Sequence, residues 1–209
     1  MRIVNLKPMS PAWHEWRRAG LGSSDAAAVM RASKWSTPPQ LWGEKLGRTM
    51  KRPGNPAMKR GLELEGAARR EYERMTGRRM PAVCGESEDL PFMRASFDGL
   101  MRGLALEIKC PGAEDHATAL AGKIPKHYLW QCVHLLAVAE VGSLDYFSFD
   151  GNAGVIVEME YDRDLEGKLV EEEIRFWRCV LQERPPVQID TPPTLTKVGT
   201  FQELSLIHI

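Results

Sequence analysis

Along this chain the spacing of apolar residues changes repeatedly, and that change limits the folds open to it. From about Ala57 to Met75 the pattern is helical: Leu62, Leu64, Ala68 and Tyr72 share parts of a buried side, and Gly77 is a good stop. Residues 92–97 and 104–109 then read as strands, joined through Gly99 to Gly103, a stretch short enough for a hairpin connection. A helix near 114–121 and a stronger one from about Pro125 to Ala139 follow. Two more strands come next, 143–149 and 154–160. The second alternates Val155, Val157 and Met159 with Ile156, Glu158 and Glu160, so one of its faces is more polar. A charged helix over about 162–182 closes the pattern. Upstream, Ser10-Pro11 opens a helix as cap and first residue, running through Trp13, Trp16 and Arg17 to near Gly20. Ser24 is placed to cap a helix from Asp25 to about Met30, and Pro38-Pro39 start another that ends near Gly47. Residues 48–60 are basic, contain Pro53, Gly54 and Pro56, and read as a loop leading into the long helix. This order of helices, strand hairpin, helices, strand hairpin and helix predicts an α/β domain with a central mixed sheet flanked by helices.

The 209 residues suit one domain with a sizeable core. We expect it to span residues 1–190, with 191–209 as a C-terminal tail whose last residues, Ser205 to Ile209, read as an appendage to the native chain. There is no internal repeat. No apolar run is long enough to span a bilayer, and the N-terminal Met1 to Pro8 lacks the apolar stretch of a signal peptide, so the expected location is cytoplasmic. No two of Cys84, Cys110, Cys132 and Cys179 form a CxxC pair, which argues against a zinc site or a disulfide framework and for free thiols. Net charge is zero, yet residues 1–80 carry 17 Lys/Arg against 7 Asp/Glu, and residues 81–209 carry 11 against 21. Such asymmetry suggests one basic and one acidic surface, and a basic surface can take up phosphates; the halves could equally neutralise each other on folding.

The chemistry concentrates in Ser96-Phe97-Asp98-Gly99 and Leu106-Glu107-Ile108-Lys109-Cys110-Pro111. Residues two apart on a strand share a face, so Glu107 and Lys109 project together while Ile108 points into the opposite, buried face. The hairpin can bring Asp98 alongside. Two carboxylates beside an ammonium suit a hard divalent cation and phosphodiester hydrolysis. Glu-x-Lys by itself is common, however, and a cross-strand salt bridge would account for the triplet equally well.

The ordered set is more specific. Trp13, Arg17 and Ser24 precede the helix Gly61 to Glu73; Asp98-Gly99 and Glu107-Ile108-Lys109 follow, and Gln131 lies on a later helix. Together these resemble the lambda exonuclease and YqaJ-type viral recombinase family of the PD-(D/E)XK nuclease superfamily, over about residues 10–180. The resemblance implies a restriction-endonuclease-like core. It implies that Asp98, Glu107 and the backbone carbonyl of Ile108 hold Mg²⁺, with Mn²⁺ able to substitute, and that Lys109 orients the attacking water. The frame Glu-x-x-Ala-Arg-x-x-aromatic-Glu matches Glu65, Ala68, Arg69, Tyr72 and Glu73, which assigns Glu65 rather than Glu63. Gln131, preceded by Tyr128, matches the glutamine near the active site. Where some members carry a tyrosine four residues later, this chain has Leu135, next to His134, which reads as a partly buried helix histidine. Arg17, Ser24 and Ser96 match residues that bind a terminal 5′-phosphate, and Lys34 lies near the position of a further basic residue there. Met58 falls where a relative inserts an apolar wedge that splits the duplex end; it could equally be core.

The implied activity is a Mg²⁺-dependent 5′-to-3′ exonuclease acting on double-stranded DNA ends. It would release 5′-mononucleotides and leave 3′ single-stranded DNA for annealing-based phage recombination. A toroidal homotrimer and a single-strand annealing partner are implied with it. Two alternatives stay open: a PD-(D/E)XK endonuclease using the same catalytic residues, and a non-catalytic DNA-binding module.

Overall fold

A computed structural model describes residues 1–49 and 56–187, with the side chains of residues 56–58 excepted. The elements, in chain order, are β1 (Arg2–Val4), α1 (Pro11–Arg18), β2 (Leu21–Gly22), a 3-10 turn (Ser23–Asp25), α2 (Ala26–Val29), α3 (Pro38–Lys45), α4 (Pro56–Thr76), β3 (Val83–Glu86), β4 (Met93–Phe97), β5 (Gly99–Met101), β6 (Leu104–Lys109), α5 (Ala113–Leu120), α6 (Lys126–Ala139), β7 (Ser143–Phe149), β8 (Gly154–Glu160) and α7 (Arg163–Leu181).

The expected mixed α/β architecture is present, its strands divided between two four-stranded mixed sheets, ordered β1-β3-β4-β2 and β5-β6-β7-β8. The expected hairpin between 92–97 and 104–109 is corrected. β4 pairs antiparallel with β3, and β6 pairs antiparallel with the short β5, Gly99 opposite Leu106. The chain leaves one sheet at Phe97 and enters the other at Gly99, so Asp98 stands at the crossing. Any Cβ at position 99 would lie 2.7 Å from Cβ of Met80 and 3.1 Å from that of Leu106, which is why a glycine follows the aspartate.

β6 runs parallel to β7, with Glu107 beside Tyr146 and Lys109 beside Ser148. Helices cover both faces of this pair. Leu106, Ile108, Phe147 and Phe149 pack with Ala68 and Tyr72 of α4. Ala105, Leu144 and Tyr146 pack with Cys132, Leu135 and Leu136 of α6. A parallel pair buried on both sides is held mainly by apolar burial, at about 1.5–3 kcal/mol for each large side chain removed from water. Charge on such a strand is tolerated only where a partner meets it.

Local capping follows the sequence in part. Ser10 Oγ accepts the Trp13 amide at 3.2 Å, and Thr37 with Gln40 forms a reciprocal cap on α3. Ser24 is not a cap, which corrects the sequence expectation: the 3-10 turn begins at Gly22, whose N–H donates to Asp25 Oδ2 at 2.9 Å. β1, β2, β3 and β5 carry no alternation long enough to be read from sequence. Among the described residues all four cysteines are free and no helix is long and apolar enough to cross a membrane. The tail 191–209 lies outside the described residues.

Candidate active site

β6 delivers Glu107 and Lys109 to its α6 face, opposite to Ile108. Glu107 is only 3% exposed. One of its oxygens, Oε1, accepts from Gln131 Nε2 on α6 at 2.6 Å and forms an ion pair with the Lys109 ammonium. The ammonium also lies 5.3 Å from the ring centre of Tyr128, one helical turn before Gln131. Burial alone would lower the lysine pKa; Glu107 and Asp98 outweigh it and hold the pKa above the ordinary value, so Lys109 is a cation throughout the neutral range.

Asp98 is drawn in by backbone contacts. Its Oδ2 accepts the Ile108 N–H at 2.7 Å, and its own carbonyl accepts from Arg69 Nη2 at 2.5 Å, while Nη1 of the same guanidinium donates to the Met80 carbonyl at 3.2 Å. A strand residue points its N–H and C=O to the same edge. The Ile108 carbonyl therefore faces the Asp98 side, where β5 has ended. Burial pushes the Asp98 carboxyl up to about 7, and the charges of Glu107 and Glu65 add to that, against Lys109 and the Ile108 amide. Glu65 on α4 is exposed, and its charge acts on both Asp98 and Cys110.

This donor set has a specific chemical preference. Among the described residues no three His, Cys, Asp or Glu side chains stand close enough to hold a metal by themselves. Two carboxylates and one carbonyl are hard oxygen donors and lack the nitrogen and sulfur ligands that zinc favours. Mg²⁺, by contrast, binds through one or two carboxylates and keeps waters and substrate phosphate as its other ligands.

A second cluster lies on the other side of Asp98. Arg17 Nη2 donates to Ser24 Oγ at 2.7 Å, and the guanidinium lies over Trp13, 4.8 Å from the ring centre. The Trp13 indole N–H in turn donates to Ser96 Oγ at 3.0 Å. Arg17, Ser24 and Ser96 are thus joined through Trp13, with Ser24 exposed and Arg17 half-buried. Gly22 is needed here, since a Cβ would lie 2.7 Å from Arg17 Nη2. Ser96 is two residues before Asp98 on the chain, so β4 links the Arg17 cluster to the carboxylates. Lys34 stands elsewhere: its ammonium is 3.6 Å from Asp115 Oδ1 on α5. The Met58 side chain lies outside the described residues.

Sequence reasoning missed several supporting residues. The sequence marks Trp13 with Arg17 and Ser24, but not its bond to Ser96. Lys45 had no such signal. Its buried ammonium donates to Asp25 Oδ2 at 2.6 Å, to the Gly20 carbonyl at 2.6 Å and to the Arg17 carbonyl at 3.2 Å, tying the end of α1 to the turn that carries Ser24. His134 is fully buried, not partly as expected, with Nδ1 2.8 Å from Glu173 Oε1 and Nε2 3.1 Å from the Arg94 carbonyl. Two acceptors require a donor at each nitrogen, and the His134 pKa is raised accordingly: burial lowers it, but Glu173 outweighs burial.

The profile of the YqaJ-like viral recombinase domain matches residues 12–142, more than half of the chain. The YqaJ protein of Bacillus subtilis (strain 168) is 32% identical over 175 residues, covering 78% of this chain and 54% of that protein; the chain thus spans about half the length of this curated relative. Among solved structures, the alkaline exonuclease LHK-Exo of Laribacter hongkongensis aligns with a TM-score of 0.72 at 26% identity, over 83% of this chain and 94% of its own. The same protein in complex with dAMP aligns with a TM-score of 0.72 at 25% identity and the same coverage. A phage-related exonuclease from Haemophilus somnus 129PT shares the fold, with a TM-score of 0.59 at 15% identity over 78% of this chain and 96% of that one. These neighbours have the restriction-endonuclease-like fold. The chain belongs to the YqaJ-like viral recombinase family.

Proposed function

We propose that this protein is a Mg²⁺-dependent 5′-to-3′ exonuclease of double-stranded DNA, releasing 5′-mononucleotides and leaving a 3′ single strand for annealing-based phage recombination. One observation carries the reading. Glu107 holds Lys109 and Gln131 directly, Asp98 is bound to the backbone of the same strand at Ile108, and the Arg17–Ser24 cluster is joined through Trp13 to Ser96, two residues before Asp98. The similarity to an exonuclease that has been solved with a deoxynucleoside monophosphate supports it.

Asp98, Glu107 and the Ile108 carbonyl would hold the Mg²⁺, or Mn²⁺ in its place. Bound there, the ion would polarise the scissile phosphate and lower the pKa of a coordinated water. The protein's own groups do the rest. Lys109, held as a cation, positions the attacking water and stabilises charge developing on the phosphate oxygens. Gln131 holds Glu107 in place by its 2.6 Å bond and can turn its carbonyl to the water. Glu65 brings a further acceptor from α4. Arg17 grips the terminal 5′-phosphate with two N–H groups, Ser24 adds a hydroxyl, and Ser96 braces the pocket through Trp13. A homotrimeric ring around DNA, a single-strand annealing partner and a cytoplasmic setting in a bacterial host complete the proposal.

The test uses linear duplex labelled at one 5′-phosphorylated end, and a covalently closed circle in parallel, with Mg²⁺ or EDTA and with wild type or Lys109→Ala. Mononucleotide release from the linear DNA alone, dependent on Mg²⁺ and lost by about 100-fold or more in the variant, is expected. Cutting of the circle would make the protein an endonuclease. Binding without cleavage of either would make it a non-catalytic module.

A further inference from the structure

Trp35 is 47% exposed, an unusual setting for the largest side chain. It does not project at random. Its backbone is pinned by Ser33, whose Oγ accepts the amides of Trp35 and Ser36, each at 3.1 Å. The segment is anchored in turn where the amides of Ala32 and Ser33 both donate to the Ala27 carbonyl of α2. The indole meets His127 edge to face, ring centres 5.0 Å apart, and lies tilted beside Tyr128 at 6.2 Å. Tyr128 is the ring over which the Lys109 ammonium sits at 5.3 Å. Two successive contacts thus connect an exposed indole with the lysine beside the carboxylates. Lys34, the neighbouring residue, carries a half-exposed ammonium that lies 3.6 Å from Asp115 Oδ1.

An aromatic face fixed in advance, open to solvent and flanked by a cation, is suited to stacking on a nucleobase while the cation meets the backbone. We propose that Trp35 is a base-stacking subsite: it holds an unpaired base of the 5′-terminal nucleotides and so places the phosphodiester bond beside Lys109. The inference rests on the nuclease reading for its geometry, but its test does not require cleavage. Stacking tolerates every base because each has a π-face, so the subsite adds affinity without demanding a sequence.

Binding is measured by anisotropy, with Ca²⁺ in place of Mg²⁺ and a fluorophore at the far end of a 5′-phosphorylated duplex. Two duplexes are compared, one normal and one with abasic residues at the two 5′-terminal positions. Wild type is expected to bind the abasic duplex about tenfold more weakly. Trp35→Ala is expected to bind the normal duplex about tenfold more weakly and to show no further loss on the abasic one, while Trp35→Phe retains most of the discrimination. An unchanged thermal midpoint in Trp35→Ala accompanies the expected result. Equal, additive losses on both duplexes, or no loss at all, overturn the subsite. Mononucleotide release by the same wild-type preparation in Mg²⁺ separates the two readings: coupling without release keeps the stacking and removes the exonuclease, and release without coupling does the reverse.

Discussion

Lys45 supports the Arg17 cluster from behind, through the Arg17 and Gly20 carbonyls and the Asp25 carboxylate. Its side chain is 8% exposed, that of Asp25 is 17% exposed, and the ammonium spends its donors on Asp25 and the carbonyls of Gly20 and Arg17. Lys45→Met keeps the length of the side chain and removes the charge. Breaking a buried pair by deleting one partner costs about 3–5 kcal/mol. Asp25 would still have the Gly22 amide and the nearby Arg17 charge, so the low end, about 3 kcal/mol, is expected. For a domain of this size that is a fall of about 6–12 °C in Tm. Burial opposes ionisation of Asp25, but the charges of Lys45 and Arg17 and the Lys45 and Gly22 hydrogen bonds outweigh it, holding the carboxyl below its usual range. A depressed folded pKa contributes stability that is complete above the unfolded value, about 3.9, and is lost as pH falls through the folded value. The gap between wild type and Lys45→Met is therefore constant at neutral pH and closes in acid. Differential scanning calorimetry over pH 3–8 measures it, with Asp25→Asn/Lys45→Met as the neutral pair expected to regain much of the loss. A Tm within 2 °C of wild type, or a double variant no better than the single one, would refute the reasoning.

Two further outcomes are expected. Arg17→Ala should lower kcat/KM on 5′-phosphorylated duplex ends by about ten- to a hundredfold while leaving 5′-hydroxyl ends little changed, because a charge-assisted contact to the phosphate is lost; an equal loss on both ends would remove the phosphate role. The His134–Glu173 pair predicts alkaline sensitivity. A histidine pKa raised in the fold contributes stability that is complete below the unfolded value of about 6.5 and is lost as pH rises through the raised one. The Tm of wild type should fall from neutral to alkaline pH more steeply than that of His134→Gln/Glu173→Gln, and parallel curves would show that the pair is neutral.

The long elements were legible because each holds its period over many residues. Those at 57–75, 125–139 and 162–182 appear as α4, α6 and α7 with their ends shifted by a few residues at most. The strands that sequence missed are two to four residues long, and β5 was hidden inside what looked like a hairpin connection. That error had one cause. The strands 92–97 and 104–109 were read as partners in one hairpin, whereas the chain crosses between sheets at Asp98, a decision made by pairing partners elsewhere in the chain. The residues of the candidate site were legible because their order and spacing resemble a family. The supports around them were not: Lys45, the Arg69 bond to the Asp98 carbonyl and the His134–Glu173 pair join segments 20 to 39 residues apart.

The crossing also explains how so much charge is accommodated in the interior. A strand paired on both edges leaves no backbone group free for a side chain. At Ile108 the β5 partner has already ended, so its N–H is available to Asp98 and its carbonyl to the same side. Glu107 meets Gln131 and Lys109 from α6 and from its own strand, while Ile108 and Leu106 bury apolar surface against α4 on the reverse face. One face of β6 stabilises the strand and the other holds Glu107, whose charge adds to burial in raising the Asp98 pKa. The same geometry gives each part of the site a separate support: α4 backs Asp98 through Arg69, α6 backs Glu107 through Gln131, and α3 backs Arg17 through Lys45.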